Sequence, residues 1–394
     1  MPRKIKLLLS SLLCLLFLTG GTMANTNSVK IGVSAEFGHL TSTSAEAIRF
    51  GILTAIDEIN ENGGVLEGRP LELVSRDNRS IPARGVADLE HFAQDDDLVA
   101  VFGGKFSPVM LDMVDKAHEL KIPLLDPWAA ADRIIQNGYS PNYAFRLSLK
   151  DSWAIPAMID FAVQNEREKL GFLFPNNGWG RSSAKAVERY LKNKPRVTLV
   201  GTTWYNWGDA HLANKYGALV SQGAEAIIMV ANETEGNAFI KAAFQYDPLH
   251  RVPLISHWGI TGGDFVKMTD GMLREVDLSV VQTFTFVGKN DEKTKSVLAR
   301  TKKLFGIQGY NEILSPVGFA HAYDLTHILA RAINLAQSTD RHEIRTAMEE
   351  VKDYAGLVKF FSRPFSNNSH EALTRDDVFL GRFNEDGTIT PINK

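Results

Sequence analysis

Val99-Ala-Val-Phe-Gly-Gly-Lys-Phe-Ser-Pro108 joins an apolar run to a glycine pair and then to a helical pattern. Residues 99–102 predict a buried strand, and Gly103-Gly104 predict a tight turn or a close backbone approach. Ser107 and Pro108 then predict a helix start, with Ser107 as the N-cap. This order directs several N–H groups at one point, where the helix dipole favours an anion such as a carboxylate. The same residues also fit an ordinary β–α turn that binds nothing.

Similar β–α units surround this stretch in the first half of the chain. Thr43-Ser-Ala-Glu46 has the spacing of a capping box and predicts the start of a helix that Gly63-Gly64 ends. Further strands are predicted at residues 29–33, 71–75 and 122–125. Strands that alternate with helices are typical of a parallel sheet with helices on both faces.

The pattern repeats in the second half. Strands are predicted at residues 170–174, 197–202, 226–231, 252–255 and 279–286, and helices at 183–191, 212–219, 239–244, 292–305, 317–335 and 342–351. Two tail strands, 378–383 and 387–391, surround a turn. The chain is therefore predicted to be α/β, with two doubly wound Rossmann-like lobes, a first join near 145–149 and a ligand cleft between the lobes.

The first 24 residues predict a cleaved signal peptide rather than a part of the fold. Arg3, Lys4 and Lys6 precede an apolar run at 7–18, and Thr22-Met-Ala24 offers a cleavage site before Asn25. Export and cleavage would place the mature protein in the periplasm and would remove the chain's single cysteine, Cys14. The mature protein is expected to be a monomer.

Composition argues against several function classes. The net charge is −3, and removal of the three basic leader residues makes it −6, which argues against nucleic acid as a partner. The ten histidines show no metal-ligand spacing, and no nucleotide-binding or nucleophile motif follows a strand. We therefore expect no cofactor, no metal and no enzymatic activity.

Several motifs, taken in order, give the chain a family resemblance. They are Val29-Lys-Ile-Gly-Val33, Ala55-Ile-Asp-Glu-Ile-Asn-Glu-Asn-Gly-Gly64, Gly68-Arg-Pro-Leu-Glu-Leu-Val74 with Asp77, Val99-Ala-Val-Phe-Gly-Gly104 with Ser107, Ile122-Pro-Leu-Leu125, and Phe145-Arg146. The chain resembles type I periplasmic substrate-binding proteins of the leucine/isoleucine/valine-binding class.

The resemblance implies a clamshell whose three-crossover hinge closes on one small molecule. It implies a first lobe of residues 25–147 and 282–355 and a second of 148–281 and 356–394. It also implies delivery of the ligand to an inner-membrane ABC permease. A sensor that reports ligand occupancy to a histidine kinase or chemoreceptor is the alternative.

The resemblance also assigns ligand contacts. Ser107, beside Phe106, would hold a ligand carboxylate together with the loop Trp128-Ala129-Ala130. Trp179 would come from the second lobe, and Phe37 would pack on the apolar part of the ligand. Members of the family typically bind amino acids.

Two departures from the family pattern leave the ligand open. Ala130 lacks the hydroxyl that is common near this position, and residues 256–262 lack the acidic residue that usually meets the ligand's amino group. Either Glu233, Glu235 or Asp126 replaces that acid, or the ligand is not an α-amino acid, because an unpaired buried ammonium costs several kcal/mol.

The tryptophans indicate a flat, apolar or aromatic ligand, or a cation. Trp128, Trp179 and Trp258 each follow a predicted strand end that faces the cleft, whereas Trp204 and Trp207 are expected to cover a helix or the outer surface. Lys105 either supplements the anion site or is solvated, as most lysines are. The ligand is thus predicted to be a hydrophobic or aromatic amino acid, or an aromatic acid without the amine.

Overall fold

Five parallel strands form the sheet of the first lobe in the computed structural model, which describes residues 28–392. The strands are β1 (Val29–Ala35), β2 (Leu71–Asp77), β3 (Leu98–Phe102), β4 (Leu124–Asp126) and β5 (Ala144–Arg146), and the helices between them are α1 (Ser44–Glu61), α2 (Pro82–Phe92) and α3 (Ser107–Leu120). The strand order β2-β1-β3-β4-β5 is that of a doubly wound sheet.

The second lobe is built on a seven-stranded sheet. Its first elements are α4 (Asp151–Gln164), β6 (Lys169–Pro175), α5 (Gly178–Leu191), β7 (Thr198–Tyr205), α6 (Ala213–Ser221), β8 (Ala226–Met229), α7 (Glu233–Phe244), β9 (Leu254–Ser256), α8 (Phe265–Met268) and β10 (Leu278–Gln282). Alternate residues of β8 pack on opposite faces, so both faces of this sheet are buried.

After β10 the chain returns to the first lobe and then crosses over again. Helices α9 (Glu292–Phe305), α10 (Pro316–Ala336) and α11 (Arg341–Met348) follow, and α9 and α10 both pack against α1. A small hairpin, β11 (Tyr354–Ala355) and β12 (Phe360–Phe361), precedes β13 (Phe379–Phe383) and β14 (Ile389–Pro391). Strand β13 pairs antiparallel with β10, and β14 pairs antiparallel with β13 at the edge of the second sheet.

The α/β two-lobe prediction is confirmed, and some local predictions are wrong. The strand predicted at 279–286 ends at Gln282, where the chain leaves the second sheet. The capping box does not form: Thr43 makes no cap hydrogen bond, and its hydroxyl instead bonds Ser315 at 2.7 Å. Glu46 pairs with Arg49.

The predicted signal peptide, 1–24, lies outside the described residues, as do 25–27 and 393–394. Within residues 28–392, no helix has the length and apolar character needed to cross a membrane.

Candidate functional site

The start of α3 lies at the carboxyl end of β3, as predicted, but with a different cap. The helix begins at Ser107 and its N-cap is Phe106, so the prediction of Ser107 as N-cap is wrong. The Ser107 hydroxyl oxygen turns away from its own helix and accepts from the backbone N–H groups of Ala130 (3.2 Å) and Ala131 (3.3 Å). A hydroxyl has two acceptor positions and one proton, so the Ser107 proton is left for a further acceptor.

The loop after β4 is fixed by hydrogen bonds with the side chains of Asp126 and Arg146. Asp126 Oδ1 accepts from the N–H groups of Trp128 (3.0 Å) and Ala129 (2.7 Å). On the other side, Arg146 Nη1 donates to the carbonyls of Ala129 and Ala131. These bonds fix the loop that presents Trp128 to the cleft, and they engage Ala129 within the protein.

Burial raises the pKa of Asp126 to about 7, and the nearby Arg146 guanidinium opposes that rise. Asp126 Oδ2 accepts no hydrogen bond among the described residues. Because Asp126 lies beneath the loop and does not line the cleft cavity, it does not replace the missing acid.

The second lobe contributes Trp179 from the first turn of α5. Asn177 caps this helix, since its Oδ1 accepts from the N–H groups of Trp179 (2.9 Å) and Gly180 (3.2 Å). The Trp179 indole donates to Asp151 Oδ1 at 3.1 Å. Burial raises the pKa of Asp151. Trp179 is therefore held at its backbone N–H by Asn177 and at its indole N–H by Asp151, which restricts the orientation of its ring in the cleft.

Trp258 lies opposite Trp128 across the cleft, with ring centroids 5.5 Å apart. It opens a short 3-10 turn after β9 and is buried. Next to it, His321 donates from Nδ1 to the Pro127 carbonyl at 2.9 Å, and burial lowers its pKa to about 4, which keeps the imidazole neutral. The aromatic wall is thus backed by uncharged groups.

One of the cavities between the lobes brings together six of the nine predicted contact residues. Its lining consists of Lys105, Phe106, Ser107, Trp128, Ala130, Trp179, Trp207, Asn232, Trp258 and Gly259. The lobes contact each other here, since the Thr43 N–H donates to the Gly262 carbonyl at 2.7 Å. The space left is small, with room for about one water molecule, so nothing larger fits while the lobes are in this arrangement.

Trp207 lines this cavity, and its assignment to the outer surface is wrong. Its ring packs edge-on against Phe106, with centroids 4.9 Å apart. The signal that could have found it is its position just after the carboxyl end of β7, which matches the placement of Trp128 and Trp258. Trp204, within β7, is 37% exposed and packs beside Phe174.

Three predicted contacts lie elsewhere. Ala129 is engaged by Asp126, as described. Phe37 is half-buried and faces the Arg49 guanidinium, 5.8 Å from its ring centroid. Glu233 lies beside the cavity and pairs with Lys105, Nζ to Oε2, at 2.6 Å. Glu235, the other candidate on α7, accepts from the Gly208 N–H, and burial raises its pKa.

Lys105 is buried, so the alternative of a solvated lysine is wrong. Its side chain and that of Glu233 are each 1% exposed. Among residues 28–392, no group of three His, Cys, Asp or Glu side chains is placed to hold a metal ion. The site is therefore a tight aromatic cavity with one cation and one helix N-terminus at its rim.

Comparison with known proteins places this geometry in a family. Residues 28–388 match the family model described as periplasmic binding protein. The chain is 21% identical over 322 residues to glutamate receptor 3.1 of Oryza sativa, and the match covers 78% of this chain and 32% of the receptor. It is 22% identical over 327 residues to the Leu/Ile/Val-binding protein BraC3 of Rhizobium johnstonii, covering 82% of this chain and 84% of that protein.

Solved structures share the fold. The substrate-binding protein of the branched-chain amino acid transporter of Streptococcus pneumoniae, in complex with isoleucine, superposes with a TM-score of 0.76 at 19% identity, covering 93% of this chain and 100% of its own. A solute-binding protein of an ABC transporter from R. palustris, in complex with 4-hydroxybenzoate, gives 0.76 at 18% identity and covers 93% and 96%.

Proposed function

Because this chain belongs to the periplasmic binding protein family, we propose that it binds a small carboxylate-bearing ligand between its lobes and presents it to an inner-membrane ABC permease. The observation that carries the proposal is the cavity itself. It joins the N-terminus of α3 and the free hydroxyl proton of Ser107, both suited to a carboxylate, to four tryptophans from both lobes.

The two ends of the cavity take different parts of the ligand. The helix dipole and the Ser107 hydroxyl favour negative charge at the first-lobe end. The rings of Trp128, Trp179 and Trp258 favour a flat apolar body. Leading candidates are aromatic acids and hydrophobic or aromatic amino acids, and the two solved relatives named above hold one ligand of each kind.

Closure of the two lobes would serve to capture a ligand transiently and not to transform it chemically. A ligand that touches both lobes stabilises the closed form by its differential affinity for that form. Exchange with a permease then requires the cleft to open again. Export to the periplasm remains the expectation from the leader sequence.

Thermal unfolding of the purified protein with paired ligands tests the proposal. Benzoate, 4-hydroxybenzoate, phenylalanine and leucine are compared with benzamide, 4-hydroxybenzamide and the two amino acid amides. A bound carboxylate at 100 times its dissociation constant should add about 2.7 kcal/mol to the free energy of unfolding, and the amides should add little. Equal stabilisation by the amides would contradict the carboxylate site. Loss of uptake of the same ligand on gene deletion would then support delivery to a permease.

A further inference from the structure

One ion pair joins the two lobes at the edge of the cavity. Lys105 follows the glycine turn after β3 in the first lobe, and Glu233 is the first residue of α7 in the second. Lys105 Nζ and Glu233 Oε2 are 2.6 Å apart. The Thr41 hydroxyl, also from the first lobe, donates to Glu233 Oε1 at 3.1 Å. Both carboxylate oxygens therefore have partners from the opposite lobe.

Two glycines of the second lobe, Gly262 and Gly263, lie where the backbone passes the Lys105–Glu233 ion pair. A Cβ at Gly262 would lie 2.6 Å from Lys105 Nζ, and one at Gly263 would lie 2.8 Å from Glu233 Cγ. A larger residue at either position would have to displace the ion pair. Glycines at both places indicate that the second lobe is shaped around the buried lysine and glutamate.

The charge of the cavity comes from the same lysine. Of the ten described residues that line the cavity, Lys105 alone is ionisable. Glu233 is not among the ten, and it is already neutralised by Lys105. A ligand ammonium placed here would meet a cation of the protein and no free carboxylate.

Other buried carboxylates near the cleft each hold a structural contact through at least one oxygen, although Oδ2 of Asp126 and Oδ2 of Asp151 accept no hydrogen bond among residues 28–392. Glu36 accepts from the hydroxyls of Ser42 and Ser44. Asp126 holds the loop after β4, and Asp151 holds the Trp179 indole. None of them lines the cavity, so none is placed to pair with a ligand ammonium.

We propose that Lys105 is the specificity-determining residue and that it selects aromatic or aliphatic carboxylates without an α-ammonium group. This inference rests on the proposed function. The lysine ammonium takes the place at Glu233 that a ligand ammonium would need. An amino acid must then either displace Lys105 or bury its own charge unpaired, and either course is unfavourable. The des-amino acid avoids both.

Isothermal titration calorimetry with matched pairs tests this. 3-Phenylpropanoate is compared with phenylalanine, and 4-methylpentanoate with leucine, on the protein as exported. The des-amino member of the better-bound pair should bind at least about tenfold tighter, since an unpaired ammonium costs more than about 1.4 kcal/mol. Lys105→Met should narrow or reverse that ratio, because Glu233 becomes free to accept a ligand ammonium.

Two further variants make the result decisive. The double variant Lys105→Met/Glu233→Gln should lose the gain in amino acid binding, because the freed carboxylate is gone. Lys295→Met, at an exposed surface pair, controls for loss of a lysine and should leave the ratio unchanged.

The outcomes separate the inference from the proposed function. Tighter binding of the amino acids to the unmodified protein would overturn the inference while the carboxylate site stands. A preference for the des-amino acids that Lys105→Met leaves unchanged would overturn the role of Lys105. If no carboxylate binds, the proposed function fails, and this inference fails with it.

Discussion

Two buried ion pairs, Lys105–Glu233 and Arg146–Glu371, differ in the number of hydrogen bonds that join the two partners. Lys105 and Glu233 meet across the cleft through one short contact, and among residues 28–392 Thr41 is the one other partner of the carboxylate. Arg146 and Glu371 meet at the crossover through two, Nε to Oε2 at 2.8 Å and Nη2 to Oε1 at 2.7 Å.

The location of each pair explains the difference. Arg146 ends β5, its backbone is bridged to Glu371 in the third crossover segment, and its guanidinium is fully buried. Lys105 and Glu233 lie on separate lobes, so opening the cleft separates them and lets water solvate both. The same kind of interaction thus serves structure at the crossover and recognition in the cleft.

The largest expected effect is at the crossover. Arg146→Ala should lower the free energy of unfolding by about 3–5 kcal/mol, because it leaves the buried Glu371 carboxylate without its main partner and removes a donor from the Ala129 and Ala131 carbonyls. Urea unfolding followed by circular dichroism measures this. Arg382→Ala, at the exposed pair with Asp277, is the control and should change stability by about 0.5 kcal/mol or less. Equal losses would contradict the structural role.

The free energy of unfolding should depend on pH through Asp126, which lies next to Arg146. Its pKa is about 7 in the folded state, mainly through burial, and about 3.9 in the unfolded chain. The folded state therefore holds the proton over a window in which the unfolded state releases it. Stability contributed by this group is present below about pH 4 and falls as pH rises to about 7, by up to about 4 kcal/mol.

Asp126→Asn isolates that contribution. The amide keeps an acceptor for the Trp128 and Ala129 N–H groups and does not ionise. Between pH 4 and 7 the unfolding free energy of the variant relative to the unmodified protein should therefore rise with pH. Asp277→Asn, at an exposed position, should show no such trend. A constant difference for Asp126→Asn would mean that the group titrates normally.

Ser107→Ala should act on binding more than on folding. Loss of a hydrogen bond to a charged ligand costs about 1.5–3 kcal/mol, or about 10- to 100-fold in the dissociation constant. Folding should lose only about 1 kcal/mol, from the Ala130 and Ala131 N–H groups. Calorimetry with the best carboxylate measures the first effect. Ser221→Ala, whose hydroxyl bonds only within its own helix end, should bind normally.

Much of the fold followed from local pattern. Helix α9 has the predicted bounds, 292–305, because the residues that set its apolar spacing and its two ends are adjacent in the sequence. Helix α4 was not predicted, since apolar residues lie on most of its sides and mask the helical period, and Pro156 lies inside it. The capping box at Thr43 failed because a residue 272 positions away, Ser315, takes the hydroxyl.

The site was less predictable for the same reason. Ser107 and the tryptophans after strand ends could be placed from the topology, because carboxyl ends of parallel strands meet at one edge. Their partners could not: Lys105 and Glu233 are 128 residues apart, and nothing local marks either as half of a pair. The cleft charge therefore depends on a contact that only the assembled lobes define.

Loss of Lys105 should cost the least stability, in contrast to loss of Arg146. Lys105→Met should lower the free energy of unfolding by about 1 kcal/mol or less without ligand. Glu233 keeps the Thr41 bond and regains water when the cleft opens, whereas Glu371, buried at the crossover, would keep only the 3.5 Å contact with Lys150. Double-mutant cycles with Glu233→Gln and with Arg146→Ala/Glu371→Gln give the two coupling energies side by side. A Lys105 coupling as large as that of Arg146 would mean that the ligand-free cleft does not open, and that the pair holds the lobes together rather than selecting what enters between them.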